Sequence, residues 1–204
     1  MIYNEDCRET LKKISYDYIF TAPPDFEEIN LDPKKDKYKD FVETGPPLLN
    51  PSNNLVTICL TDRKNNGGIY TKHIDIINSM RENNWYLKEH KIWVKSLKIN
   101  LFRLNFMNIL TFAKKPFKID NVKHIPDVFV DDKTYRYKNF HNGMSLEVCK
   151  QIIDKYTNKD DVVYDCFFGA GTTGLDCKEL GLNFLGSEID KKVIDYYYER
   201  ETLF

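Results

Sequence analysis

Hydrophobic and polar positions along this chain fall into blocks that read in turn as strands and helices. Tyr16–Thr21 (YDYIFT) is a short β-prone run that stops at Pro23-Pro24, where the missing backbone donor ends ladder pairing. Leu55–Leu60 (LVTICL) has the continuous apolar pattern of a buried strand, and Asn65-Asn66-Gly67-Gly68 reads as a turn. Ile74, Ile77 and Met80 recur at three-residue spacing and predict a helix within Tyr70–Asn83. Further strands are predicted at Tyr86–Val94 and Asn108–Ala113. Toward the C-terminus, Val148, Ile152 and Ile153 mark a helix, followed by the strand VVYDCF, a glycine loop, a helix over Thr172–Leu180 closed by Gly181, and a strand at Asn183–Ser187. Such alternation implies an α/β fold, a mostly parallel sheet covered by helices, and 204 residues suit one such domain over 1–204. Residues 26–54 are polar and Pro-rich, an irregular excursion with one helical turn near Tyr38–Val42 and the best candidate for a mobile flap.

Composition narrows the class. Hydrophobic residues make up 42% and charged residues 30%, an ordinary globular balance. The formal charge of -1 gives no global attraction to a polyanion, so a nucleic-acid surface has to be local. Between Arg81 and Lys118 nine basic residues, Lys95, Lys98 and Arg103 among them, face two acids, Glu82 and Glu89. This segment reads either as a phosphate-binding patch or as a solvated face. The five cysteines form no CxxC pair and the four histidines have no ligand spacing, so neither a metal site nor a disulfide framework is expected. With no apolar leader and no span of membrane length, the expected setting is intracellular: cytoplasm, nucleoid or nucleus, a viral origin included. Trp85 and Trp93 lie on apolar β-prone runs and are expected in the core.

The densest chemical signal is Asp165-Cys-Phe-Phe-Gly-Ala-Gly-Thr-Thr-Gly174, set between a strand and a helix. Glycines there allow a tight turn and close backbone approach, and the helix start offers free N–H groups to a ligand. Glu188 follows at the end of the next strand, where a carboxylate can accept from ribose hydroxyls. The segment DCFFGAGTTGLDCKELGLNFLGSEID resembles the cofactor motif of the DNA amino-methyltransferases, D-P-F-x-G-S-G-T-T-G followed by G-x-x-F-I-G-x-E. IYNEDCRETLKKISYDYIFTAPPDF resembles the opening of the same family, which leads to a catalytic tetrapeptide [DNS]-P-P-[YFW]; LVTICLTDR, NNWYLKEHKIWVK and NFMNILTFAKK are similar to its later strands. The tetrapeptide precedes the cofactor motif, the permuted order of the beta-type members.

The resemblance implies a Rossmann-like fold that binds S-adenosylmethionine and methylates the exocyclic amine of adenine or cytosine in double-stranded DNA, with the target base flipped out, in a restriction-modification setting. It implies cofactor contacts from Asp6, Thr21, Asp165, Phe167, Phe168, Gly169, Gly171, Thr172, Thr173 and Glu188, and catalysis at Ala22, Pro23, Pro24 and Asp25. Asp6 reads equally as the cap of a helix over Arg8–Lys13. The chain departs from the family at two places. Ala22 has no acceptor and Asp25 no ring, which makes a weak or inactive homologue, acting as a partner subunit, the alternative. His141 keeps only the first residue of the family's H-P-x-Q-K-P. Residues 116–140 leave little room for a target-recognition insert, so specificity is expected from residues 26–54, a second copy of the chain or another protein. Methylation of RNA or protein is the third possibility.

Overall fold

The computed structural model describes residues 1–24, 37–65, 68–98, 104–116, 123–133 and 143–201, with the backbone alone at 37–40, 65, 200 and 201. Its centre is an eight-stranded sheet in the order β1-β10-β9-β2-β3-β7-β6-β8. The strands are β1 (Ile2–Tyr3), β2 (Tyr18–Thr21), β3 (Leu55–Leu60), β6 (Tyr86–Val94), β7 (Phe106–Ala113), β8 (Val128–Val130), β9 (Val162–Asp165) and β10 (Asn183–Ser187). A small separate ribbon pairs β4 (Arg63–Asn65) with β5 (Gly68–Tyr70). The sheet is mostly parallel, as expected. Its antiparallel pairings are those of β7 with β3 and with β6.

Helices cover both faces. On one side α1 (Cys7–Thr10), α2 (Lys37–Thr44) and α3 (Lys72–Glu82) bury Cys7, Phe41, Val42, Ile76 and Met80 against Ile19, Val56, Ile58 and Tyr164. On the other, α4 (Leu146–Tyr156) and α5 (Thr172–Leu180) bury Val148, Ile152, Ile153 and Cys177 against Tyr18, Phe20, Leu55 and Val163. Alternate residues of β2 serve the two cores, as the two-residue period of a strand buried on both faces requires. Trp85 and Trp93 are buried, and Trp93 Nε1 donates to the Asp131 carbonyl (2.8 Å). All five cysteines are free and buried. No helix is long and apolar enough to cross a membrane, among the described residues.

Three expectations are corrected. From Lys37 onward the expected excursion is packed: α2, a 3-10 turn at Pro46–Leu48 and the buried Phe41, Val42 and Leu49 close one core, while residues 26–36 lie outside the described residues. The α3 stripe is not Ile74–Ile77–Met80. Ile76 and Met80, four residues apart, face the core and Ile74 faces solvent. Part of the loop expected over 116–140 is β8, which extends the sheet beside β6.

Candidate functional site

β9 and β2 are adjacent parallel strands, so the segments that leave their carboxyl ends, the glycine loop and Ala22-Pro23-Pro24, emerge at the same edge of the sheet. β9 is flanked by β10 on one side and β2 on the other, and α5, which follows β9, covers the face opposite to that of α2, which follows β2. This is the crevice geometry in which α/β sheets bind ligands.

Asp165 ties the two segments together. Its Oδ1 accepts from Thr21 Oγ1 (2.7 Å) and from the Phe167 N–H (3.0 Å), and its Oδ2 accepts from Thr173 Oγ1 (2.7 Å). Burial pushes its carboxyl up to about 6, while the three hydrogen bonds pull the other way and Glu188 adds to the rise. Asp165 is thus a brace across β2, the loop and α5.

Glu188, half-buried at the end of β10, accepts from the Gly169 N–H through Oε2 (3.1 Å) and from the Asp190 N–H through Oε1 (2.9 Å). A carboxylate offers about four lone-pair sites, so each oxygen keeps acceptor capacity for a diol. Asn4 fixes the backbone behind it by donating from Nδ2 to the carbonyls of Glu188 (2.9 Å) and Ile189 (3.1 Å).

The loop turns at Gly169 and Gly171, whose φ angles of 50° and 77° lie in the left-handed region. A Cβ on Gly171 would lie 2.5 Å from the Tyr197 ring and 2.9 Å from the Phe168 ring, whereas one on Gly169 would meet only the Phe167 carbonyl, at 3.6 Å. Gly171 is closed by the protein, and Gly169 opens away from it. α5 starts at Gly171 with no side-chain cap, and Thr172 and Thr173 form its buried first turn. Phe168 packs edge-on against Tyr197 (4.7 Å between centroids), on α6 (Lys191–Glu201), and Phe167 edge-on against Phe41 of α2 (4.9 Å). Uncapped amides, an open glycine and a braced acid with spare acceptors suit the methionine and ribose parts of S-adenosylmethionine.

Asp6 caps α1 by accepting from the Arg8 N–H (2.9 Å), and its carboxylate also takes the Arg8 guanidinium (2.7 Å). Its neighbour Cys7 is buried in the same apolar core as Cys166, at the start of the glycine loop. Pro23 is buried, and the side chain of Ala22 packs against the core on the α4 side. Asp25, Arg103 and His141 lie outside the described residues.

The basic stretch is not gathered into one patch. β6 and β7 run antiparallel, which puts Lys95 and Lys98 at the edge with the glycine loop and Lys114 and Lys115 at the opposite end. Lys95 Nζ donates to Thr61 Oγ1 (3.0 Å), just past β3. Lys91 is buried between Glu89 (3.3 Å) and Asp127 (2.8 Å), which removes it from any docking surface.

Sequence reasoning missed Phe41, Tyr197 and a polar cluster beyond β3. There the buried Asp62 accepts from the backbone N–H of His73 (3.1 Å) and bonds its Nδ1 (2.5 Å), and Asn108 bridges Asp62 (3.5 Å) and His90 (2.9 Å). The signal available was weak, two histidines spread over 18 residues of sequence. Among the described residues no group of three or more His, Cys, Asp or Glu is arranged to hold a metal.

These features define a candidate nucleoside-cofactor site on a Rossmann-like sheet, with the Ala22–Pro24 segment preceding the glycine loop in sequence. The chain belongs to the DNA methylase family of N6 and N4 amino-methyltransferases, whose family model matches residues 16–199. It is 26% identical to the type II methyltransferase M.HinfI of Haemophilus influenzae, over 98% of this chain and 67% of that protein. The crystal structure of the M1.HpyAVI complex with S-adenosylmethionine superposes with a TM-score of 0.69 at 26% identity, covering 98% of both chains. The cytosine-N4-specific PvuII DNA methyltransferase reaches 0.79 at 14% identity, over 96% of this chain and 83% of that one, a likeness of fold. The chain spans 60% of the type II methyltransferase M.BamHI of Bacillus amyloliquefaciens, and a local match to M1.MboII of Moraxella bovis covers 19% of that protein.

Proposed function

We propose that the protein binds S-adenosylmethionine and methylates the exocyclic amine of adenine or cytosine in double-stranded DNA, the target base being flipped out. The observation that carries this reading is the Thr21–Asp165 hydrogen bond, which locks the glycine loop and the Ala22–Pro24 segment side by side at one sheet edge. When bound, S-adenosylmethionine supplies an electrophilic methyl group on a sulfonium. Glu188 would hold the ribose hydroxyls, the loop from Phe167 to Gly171 and the first turn of α5 the methionine part. Asp165 and Thr173 act behind them as positioning residues. Pro23 and its flanking residues would hold the target amine and dry its surroundings, so that the nitrogen lone pair faces the methyl. Alignment of this kind supplies a large share of the barrier reduction in transfer reactions. A second copy of the chain or a partner subunit would add the sequence recognition that residues 116–140 are too few to house.

A second reading is supported by Ala22: an apolar, partly buried side chain packed against the core cannot accept from an amine, as a weak or inactive homologue would show. One experiment separates the two. Wild type and Glu188→Ala are titrated with the cofactor by calorimetry, then incubated with labelled S-adenosylmethionine and undermethylated DNA, and the modified nucleoside is identified. The expected outcome is labelled methyladenine or methylcytosine from wild type and an affinity loss of about tenfold or more in the variant, equivalent to one or two charge-assisted hydrogen bonds. Binding without a labelled nucleoside selects the inactive homologue. Equal affinities of the two proteins, or no wild-type binding at millimolar cofactor, overturn the site assignment.

A further inference from the structure

The glycine loop is gripped by two separate elements through the two phenylalanines that open it. Phe168 meets Tyr197 of α6 edge-on, while Phe167 meets Phe41 of α2, with ring centroids 4.9 Å apart and ring planes at 80°. The first grip comes from the same half of the chain as the loop. The second comes from α2, the helix that follows Ala22–Pro24 in the chain.

Phe41 is set rigidly. Gly45, the first residue past α2, packs so closely against its ring that a Cβ there would lie 2.5 Å from it, and the Gly45 N–H donates to the Phe41 carbonyl (2.7 Å). α2 is itself fastened to two other helices: Ser79 Oγ of α3 donates to the Val42 carbonyl, and Arg8 Nη1 of α1 donates to Thr44 Oγ1 (3.3 Å). Phe41 is 3% exposed, so it offers a ligand almost no surface. The residue it holds does belong to the site. The Phe167 N–H donates to Asp165 Oδ1 (3.0 Å), and the Phe167 carbonyl lies 3.6 Å from where a Cβ on Gly169 would stand. A loop with two left-handed glycines has many conformations to lose on binding, and a residue that fixes it beforehand lowers that cost.

We propose that Phe41 is a positioning residue for the cofactor: by seating Phe167 edge-on it keeps the glycine loop in its binding shape before the ligand arrives. The contact gives the target side of the site a second hold on the cofactor side, besides the Thr21–Asp165 hydrogen bond. The inference rests on the reading of the loop as the S-adenosylmethionine site and adds to it a residue that acts through Phe167. An edge-on aromatic pair has a geometry that an aliphatic side chain of similar volume does not reproduce, so ring and bulk can be separated.

The test is calorimetric titration with S-adenosylmethionine of wild type, Phe41→Leu, Phe167→Leu and the double variant. Leu keeps most of the buried apolar volume and loses the ring. Phe41→Leu is expected to weaken cofactor binding about three- to tenfold. The double variant is expected to bind within about twofold of the weaker single one, because the two rings act through one contact. A residue that serves stability alone would lower the melting temperature without this coupling. Ile76→Val, in the same core on α3, provides that comparison: a lower melting temperature with a cofactor affinity within about twofold of wild type. Gly45→Ala reaches the contact from the other side by displacing the Phe41 ring, and is expected to weaken cofactor binding as Phe41→Leu does. Should Phe41→Leu fold poorly, Gly45→Ala and Phe167→Leu form the same cycle. Unchanged affinity in Phe41→Leu, or losses that multiply in the double variant, overturn the positioning role and leave the cofactor site standing. No binding by wild type at millimolar cofactor instead overturns the site assignment, and the inference with it.

Discussion

Asp176 and Asp165 show how differently one helix and one strand treat a buried carboxylate. Asp165 accepts from two hydroxyls and an N–H, whereas both oxygens of Asp176, on α5, lack a hydrogen-bond partner among the described residues. Burial pushes the Asp176 carboxyl from an ordinary 3.8 up to about 8, with Glu179 adding to the rise and Lys150 opposing it. The folded state therefore keeps a proton that the unfolded chain gives up near 4. Its contribution to stability is complete in acid below about 3.8 and is lost progressively as pH rises through about 8. Asp176→Ala is expected to raise stability by about 1–3 kcal/mol at neutral to mildly alkaline pH, since it removes an unpaired buried polar group from a helix interior. Denaturant melts of the two proteins across that pH range check this: the gap between them should widen with pH. A gap that is constant with pH would mean the carboxyl is not the titrating group.

At the scale of the element, the strand–loop–helix unit from β9 to α5 was legible because its signals are local. The helix over Thr172–Leu180 and its closing Gly181, at φ 69°, stand where the sequence placed them, and so does β10. Elements that exist only through distant pairing were not legible. β1 is two residues long and forms because β10 lies beside it, and β8 is held by β6. The α3 stripe was misread because three-residue spacing drifts around a helix, whereas Ile76 and Met80 keep to one face. Asp6 was legible as a choice between two roles, and the structure shows the cap. Within the loop itself the two left-handed glycines separate folding from binding. Gly171→Ala combines left-handed strain, roughly 1–2 kcal/mol, with overlap against Tyr197 and Phe168, and is expected to destabilise the fold by about 2–4 kcal/mol. Gly169→Ala carries the strain without the overlap, so its melting temperature should fall less while its cofactor affinity falls more. Thermal melts with and without cofactor decide. Equal destabilisation by the two variants would mean that the surface above Gly169 is not open.

At the scale of the whole molecule, permutation decides what lies where. The chain starts at the edge strand β1, next to β10 near its end, and the amino group of Met1 donates to the Phe184 carbonyl (3.0 Å). The two halves are thereby interleaved, and both motifs reach the same edge although 144 residues separate Thr21 from Asp165. The antiparallel run of β6 and β7 has the opposite effect on charge: a stretch that is continuous in sequence is divided between the two ends of the sheet. DNA engaged at the carboxyl edge should therefore feel Lys95 and Lys98 and be indifferent to Lys115, which lies at the far end over the Tyr86 ring (5.9 Å). Lys95→Glu with Lys98→Glu is expected to weaken duplex binding at low salt by tenfold or more, because two phosphate contacts become repulsions, and to flatten the dependence of affinity on salt by about two counterions. Lys115→Glu should leave both quantities within about twofold of wild type. The measurement is a salt titration of duplex affinity for the three proteins. A larger loss from Lys115→Glu than from the pair at the carboxyl edge would place the DNA on the opposite end of the sheet and separate it from the glycine loop.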